Sequence, residues 1–416
     1  MHKFMCILTV ILFGLFAKEI IAQNKDGEQL TMEAAVSRAI ENNPKLKTLL
    51  KSIDARKAIK LQSGLMPNPE LGVEAENIFG SNDFSGFKGG EMTASLSQEI
   101  LLAGKISKRE KVAEMDISLA EWDYEAKRLE VITDVRRAFT NGLTIKKLLE
   151  KNYELVKISE ELIMNLRARV KAGRISPAEV SRAQIILNSL QIDIDKLKED
   201  YDSAIFELVT LMNDTKIHFG TIDGELKKID ALPDYDSLLI KLDENPVLKR
   251  YESEYSKQKA VITYEESKAI PDLTVSAGYR RLNEINAITF IVGASIPLPI
   301  FDRNQGAVQE ALIRLDQKTN EYEAVKNRLI LRLNLLYNRL GTLLGISEKL
   351  NNESIPNAEE AFKIIKEGNL LGRFTILDVL DAQKTLFEIQ NMYLNTQSNV
   401  SAVVVEIEGL TVNNIK

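Results

Sequence analysis

Cysteine is almost missing from this sequence: the 416 residues hold one, Cys6. It lies in the apolar opening stretch, and five preceding residues cannot supply a lipoprotein processing motif. The chain beyond that stretch has no cysteine, so no disulfide is expected there, and no lipid anchor is expected. Histidine occurs twice, as His2 and His218, too sparsely for a histidine-based metal centre or acid–base pair. No GxxxxGK[ST] phosphate loop is present, so the chain does not draw energy from a nucleotide itself. Aromatic residues make up only 6%, and a net charge of −6 leaves no basic footprint for nucleic acid. No nucleophile–base constellation appears. Together these absences exclude most enzyme classes, and neither a cofactor nor a bound metal is expected.

Long apolar runs are also lacking after the opening. That opening, with its basic start, the apolar run Phe4 to Ala17 and a small residue at Ala22, reads as a secretory leader over residues 1–22. The run is shorter than the ~20 apolar residues a membrane-spanning helix needs. No later segment reaches that length.

What the chain does have is helix-forming residues, with Ala, Glu, Lys, Leu and Ile prominent, and a repeat. "NNPKLK" from Asn42 recurs as "ENPVLK" from Glu244, and "PELGVEA" from Pro69 as "PDLTVSA" from Pro271, each about 200 residues on. "SLSQEILLAGK" from Ser95 corresponds to "GASIPLPIFDR" from Gly293 at a similar offset. These matches in one order predict a tandem duplication, with a first repeat over 23–213, an irregular linker over 214–235 and a second repeat over 236–416.

Each repeat follows one plan: a helix, two strands, a very long helix, a turn and a shorter helix. The first helices are expected over Thr31 to Ser63 and Asp236 to Lys268. The long helix from Gly104 to Ala172 contains no proline and would extend about 100 Å at ~1.5 Å per residue. Such a length points to a coiled-coil or helical-barrel element. Its apolar residues, among them Leu119, Trp122, Val135, Phe139, Leu155 and Leu166, recur at three- and four-residue steps. In the second repeat Pro356 predicts a kink or break.

The strands carry most of the functional information. Leu71, Val73, Ala75 and Phe79 alternate with Glu70, Gly72, Glu74 and Glu76. Met92, Ala94, Leu96 and Ile100 alternate with Thr93, Ser95, Ser97 and Glu99, and Leu273, Val275, Ala277 and Tyr279 with Thr274, Ser276, Gly278 and Arg280. Ile288, Phe290, Val292, Ala294 and Ile296 give the fourth segment. Segments of about ten residues with one apolar and one polar face match transmembrane β-barrel strands. Glu74 and Glu76 then face a wet lumen, and "FGSNDFSGFKGG" becomes an outside loop. Ordinary hairpins packed on helices are the competing reading. Four strands cannot close a barrel, because an open edge in lipid leaves backbone groups unpaired at several kcal/mol each. Several copies must share one barrel, and two, three or four all close it.

"VKAGRISPAEVSRAQ" (Val170 to Gln184) and "NLLGRFTILDVLDAQ" (Asn369 to Gln383) state one sharp turn twice. Gly173 and Gly372 let the chain reverse, and Ser176 and Thr375 are placed to cap the returning helices. The two-repeat plan and this doubled turn resemble the TolC-type outer membrane factors of tripartite efflux pumps, over essentially the whole mature chain. "GLMPNPEL" and "LLAGKISKREKVAE" are similar to the CzcC/CusC-like heavy-metal cation efflux branch. Where that branch commonly carries Gly-Lys-Arg, this chain has Gly104, Lys105 and Ile106.

The resemblance implies a mainly α fold with a small transmembrane β part: a long α-helical barrel, and four strands per chain in a shared twelve-stranded trimeric barrel. It implies a homotrimer in the outer membrane lipid with most of its mass in the periplasm. Its partners would be a periplasmic adaptor and an inner-membrane pump of the resistance–nodulation–division type. The adaptor would meet Ala172, Gly173, Arg174, Ile175 and Ser176, with Leu371, Gly372, Arg373, Phe374 and Thr375. Asp378 and Asp381 match the acidic constriction of the family at the periplasmic mouth. Passive export of heavy-metal cations is the leading expectation. A duct for drugs or secreted proteins shares the fold, and a periplasmic coiled-coil adaptor is the more distant alternative.

Overall fold

The computed structural model describes residues 29–82, 85–214 and 219–412. The leader call, Cys6 and both histidines lie outside the described residues. The chain is mainly helical, with one four-stranded sheet and one two-residue strand pair among the described residues.

The first helix predicted in each repeat is two helices. Residues Met32–Asn42 form α1 and Pro44–Ser63 form α2, and in the second repeat Tyr235–Leu242 form α5 and Pro246–Lys268 form α6. The break is the repeated Asn-Pro. Proline has no N–H to give the preceding turn but suits the first position of a new helix. The Asn43 carboxamide accepts from the N–H groups of Lys45 and Leu46 at 2.9 and 3.1 Å, and the Asn245 carboxamide accepts from Val247 at 2.9 Å.

The long helix α3 spans Lys105–Lys171, 67 residues, and α4 spans Pro177–Leu211. Along its last third α3 buries Asn152, Leu155, Ser159, Ile163 and Leu166, a stripe at three- and four-residue steps that includes two polar side chains. In the second repeat α7 covers Gln305–Lys349, a π-helical turn covers Leu350–Ser354, and α8 covers Ile355–Leu370. The kink predicted at Pro356 takes the form of this wider turn. One extra residue per turn moves the carbonyl that the proline ring would otherwise strike. The last helix, α9, runs Ile376–Thr411.

Two compact units emerge among the described residues, each drawing on both halves of the sequence: those within 29–46, 127–242 and 329–412 form one, and those within 47–126 and 243–328 the other. In the first unit, β1 (Gln29–Leu30) pairs in parallel with β4 (Thr221–Ile222), so the predicted irregular linker contains a short strand. The linker also buries Phe219, Ile222, Leu226 and Ile229. Lys146 of α3 donates to the Ile222 carbonyl at 2.8 Å, and Ser401 of α9 donates to the Lys227 carbonyl at 3.0 Å. The linker is thus core material of its unit.

In the second unit, β2 (Glu70–Glu76), β3 (Glu91–Ile100), β5 (Leu273–Leu282) and β6 (Ala287–Ser295) form an antiparallel sheet in that order. Glu74 stands opposite Thr93, Thr93 opposite Arg280, and Arg280 opposite Thr289. Phe79 falls outside β2, correcting the strand expected to reach it. The backbone turns left-handed at Asn77 (φ 54°) and again at Phe79 (φ 58°), which ends the alternation. Phe79 instead meets Phe87 edge-on within the loop, ring centroids 5.1 Å apart.

Candidate functional site

The two sharp turns have one construction. After α3, the N–H of Gly173 donates to the Val170 carbonyl at 2.9 Å, and that of Arg174 to Arg169 at 3.0 Å. After α8, Gly372 donates to Asn369 at 3.1 Å and Arg373 to Gly368 at 2.8 Å. Both are Schellman caps, which require a left-handed residue just past the helix. Gly173 (φ 69°) and Gly372 (φ 77°) supply it. A Cβ at either would meet nothing within 4 Å, so these glycines are needed for backbone angle and not for internal space.

The returning helices start on their predicted caps. The Ser176 hydroxyl accepts from Ala178 N–H at 3.2 Å, and Pro177 fills the first helical position. Thr375 forms a full capping box with Asp378: its hydroxyl accepts from Asp378 N–H at 3.3 Å, and its own N–H donates to the Asp378 carboxylate at 2.7 Å. These bonds from the Thr375 hydroxyl and N–H hold the Asp378 carboxyl below its ordinary value of 3.8. Because the folded value is lowered, the cap is complete above the unfolded carboxyl range and is lost as pH falls through the folded value. Asp381, one turn on, is exposed.

Among the predicted docking residues, Ala172, Gly173, Arg174, Leu371, Gly372 and Arg373 lie exposed at the turns. Ile175 is tucked against the buried cluster of Ile163, Leu166, Ala183, Leu187, Ile376 and Leu380, which joins α3, α4 and α9. Phe374 lays its ring on Gly368, where an added Cβ would come within 2.4 Å of the ring.

The structure also brings the two turns together, which the sequence did not disclose. Asn369 is 6% exposed. Its side chain donates to the Phe374 carbonyl at 2.8 Å and accepts from Arg169 at 2.9 Å, about 200 residues away in the chain. Arg169, Gly368 and Asn369 thus complete the tip and were not among the predicted docking residues. Behind it, a cavity of about 370 Å³ between α3, α4 and α9 is lined by Asn152, Ser159, Gln383 and Asn391, with Gln383 donating to Ser159 at 3.3 Å.

The sheet is inverted relative to a water-soluble one. Its apolar face is uncovered: Leu71 is 75% exposed, Phe290 88% and Val292 85%. An exposed apolar surface of this extent is what a lipid-facing wall requires. On the opposite face Glu74 is exposed, whereas Glu76 is paired with Arg280 at 3.2 Å. The outer edges of β2 and β6 have no partner within the sheet. No helix among the described residues is long and apolar enough to cross a membrane, and the strands are the segments suited to it.

A mainly helical chain that contributes an uncovered, two-faced sheet and a doubled hairpin tip is a passive membrane channel. The chain belongs to the outer membrane efflux protein family, whose pattern matches residues 35–214 and 240–411. It is 32% identical to the cobalt-zinc-cadmium resistance protein CzcC of Cupriavidus metallidurans, with 88% of this chain and 86% of that protein covered. The fold matches a solved membrane protein of Pseudomonas aeruginosa with a TM-score of 0.74 at 16% identity, covering 91% of this chain and 90% of that one. It matches the solved structure of CusC with a TM-score of 0.72 at 15% identity, covering 92% of each chain. This protein is accordingly an outer membrane channel of the TolC type and not an enzyme. Channels of this type are trimers that work with an adaptor and an inner-membrane pump.

Proposed function

We propose that this channel is the exit duct for heavy-metal cations, and that it works as a homotrimer docked to a periplasmic adaptor and a resistance–nodulation–division pump. The similarity to a cobalt-zinc-cadmium resistance protein over most of both chains is the observation that carries the substrate class. The homotrimer agrees with the sheet: three copies give twelve strands, joined β6 to β2 of the next copy, and no edge is left open in lipid. All four strands alternate in direction, so a β6-to-β2 junction is itself antiparallel.

The hairpin tips are the adaptor's docking surface in this reading, from Ala172 to Ser176 and from Leu371 to Thr375. The Schellman glycines present exposed backbone, and the Arg169–Asn369 link makes the two turns one rigid surface. Asp378 and Asp381 of three copies form carboxylate rings at the periplasmic mouth that attract cations. Each repeat (23–213 and 236–416) supplies one hairpin, with the linker 214–235 between them.

Deletion of the gene and growth on graded zinc, cobalt, cadmium and copper salts tests the proposal. Loss of growth on at least one of zinc, cobalt or cadmium is expected, restored by the parent chain. Gly372→Val forces a β-branched residue to φ 77°, at a cost of about 1–2 kcal/mol at an exposed tip. This variant should assemble in the outer membrane yet fail to restore growth. Unchanged metal tolerance together with new sensitivity to drugs or detergents would contradict the metal assignment.

A further inference from the structure

Arg280 is the one cation placed among the carboxylates of the sheet's polar face, and its guanidinium uses all three nitrogens. Nη1 meets Glu91 of β3 at 2.9 Å, Nη2 meets Glu76 of β2 at 3.2 Å, and Nε donates to the Thr93 hydroxyl at 3.0 Å. Glu76 and Glu91 are direct cross-strand partners. Carboxylates so placed have Cβ atoms about 5 Å apart and repel each other without a counter-charge. Asn77 adds a donor to the other oxygen of Glu91 at 3.4 Å. This cluster lies where β2 and β3 enter their connecting loop and where β5 approaches its hairpin turn, the end of the sheet opposite the helix connections. In the lumen reading, a cation moving outward meets it at the exit end of the sheet.

Two opposed carboxylates with a hydroxyl beside them offer the oxygen donors that hard divalent cations take. In this chain a guanidinium occupies the place, bridging the two carboxylates with one terminal nitrogen on each. We propose that Arg280 is a built-in counter-ion that determines specificity by preventing divalent cations from being held at the exit of the duct. It keeps the wall polar and acidic enough to pass cations while denying them a site with residence time. The proposal rests on reading the sheet's polar face as the lumen wall of a cation duct. Glu74, one residue pair further in and exposed, supplies negative charge without a partner strand carboxylate opposite it.

The test is single-channel conductance of the purified protein in planar bilayers in KCl, with CdCl₂ and CaCl₂ titrated from either side. The parent channel is expected to conduct with little block. Arg280→Gln is expected to conduct K⁺ but to be blocked, with half-block on the order of 10⁻⁴ to 10⁻³ M, the range of weaker oxygen-ligand sites. The half-block concentration should be at least tenfold below that of the parent. Arg280→Gln combined with Glu91→Gln should remove the block, an outcome that a merely structural role would not produce. Arg280→Lys provides a second test in case the glutamine variant does not assemble. A single ammonium cannot span both carboxylates, so a block of intermediate strength is expected. Parent-like half-block in both single variants, with K⁺ conductance intact, would overturn the proposal. Absence of any conductance in the parent would instead contradict the channel reading beneath it.

Discussion

At the scale of single residues, the doubled turn shows how much chemistry a short motif can declare. Gly173, Gly372, Ser176 and Thr375 were legible because each acts locally: a left-handed φ or a cap needs only neighbours within five residues. Asp378 was legible as an acid but not as a capping-box acid, and the difference bears on its test. Replacing both Asp378 and Asp381 by Ala removes the proposed carboxylate rings and unties the start of α9 in one step. Asp381→Asn separates the two, since Asp381 is exposed and takes no part in the cap. Reversal potentials of reconstituted channels under a KCl gradient are expected to shift toward lower cation selectivity in Asp381→Asn. An unchanged potential would remove Asp381 from the mouth. The Arg169–Asn369 link was not legible, because nothing in either half names a partner about 200 residues off.

At the scale of elements, the repeated Asn-Pro was visible in the sequence but was read as repeat evidence and not as a helix break. The signal was present: a residue that caps well followed by one that favours the first helical position. Strand faces follow the alternation wherever period two holds; it ends short of Phe79, where two left-handed residues end the pleat, and of Ile296, one residue past the end of β6. The linker reads as irregular from its glycine and proline, and apart from Thr221–Ile222 and Tyr235 at the start of α5 its described residues form no helix or strand. What the sequence did not disclose is that the linker's Phe219, Ile222, Leu226 and Ile229 are buried. Its role is clearest at Glu408 of α9, whose side chain is 1% exposed. Arg136 of α3 meets it at 2.6 Å, and Lys227 of the linker contacts its other oxygen. Three segments of the first unit thus converge on one buried carboxylate. Glu408→Gln leaves two cations facing a neutral group, and a buried pair broken on one side costs about 3–5 kcal/mol. Arg136 and Lys227 keep some solvent access, which places the expected loss at the lower end, about 3 kcal/mol. Thermal melting in detergent should show a clear drop, and an unchanged melting temperature would contradict this role.

At the scale of the whole molecule, composition said most about what the chain is not, and the strands said what it is. A helix-rich chain with a single cysteine and two histidines is compatible with many functions. Four strands with an uncovered apolar face and two open edges are not, because neither the face nor the edges can persist in water or in lipid as a single copy. Sequence physics does not choose the number of copies, since any even-stranded closure satisfies the backbone. The resemblance and the family supply three. The mass of the protein extracted from outer membranes in mild detergent, measured by light scattering with the detergent contribution subtracted, tests this most directly. The account predicts three times the mass of the mature chain, with no protein in the soluble fraction. A soluble, single-copy species would contradict it.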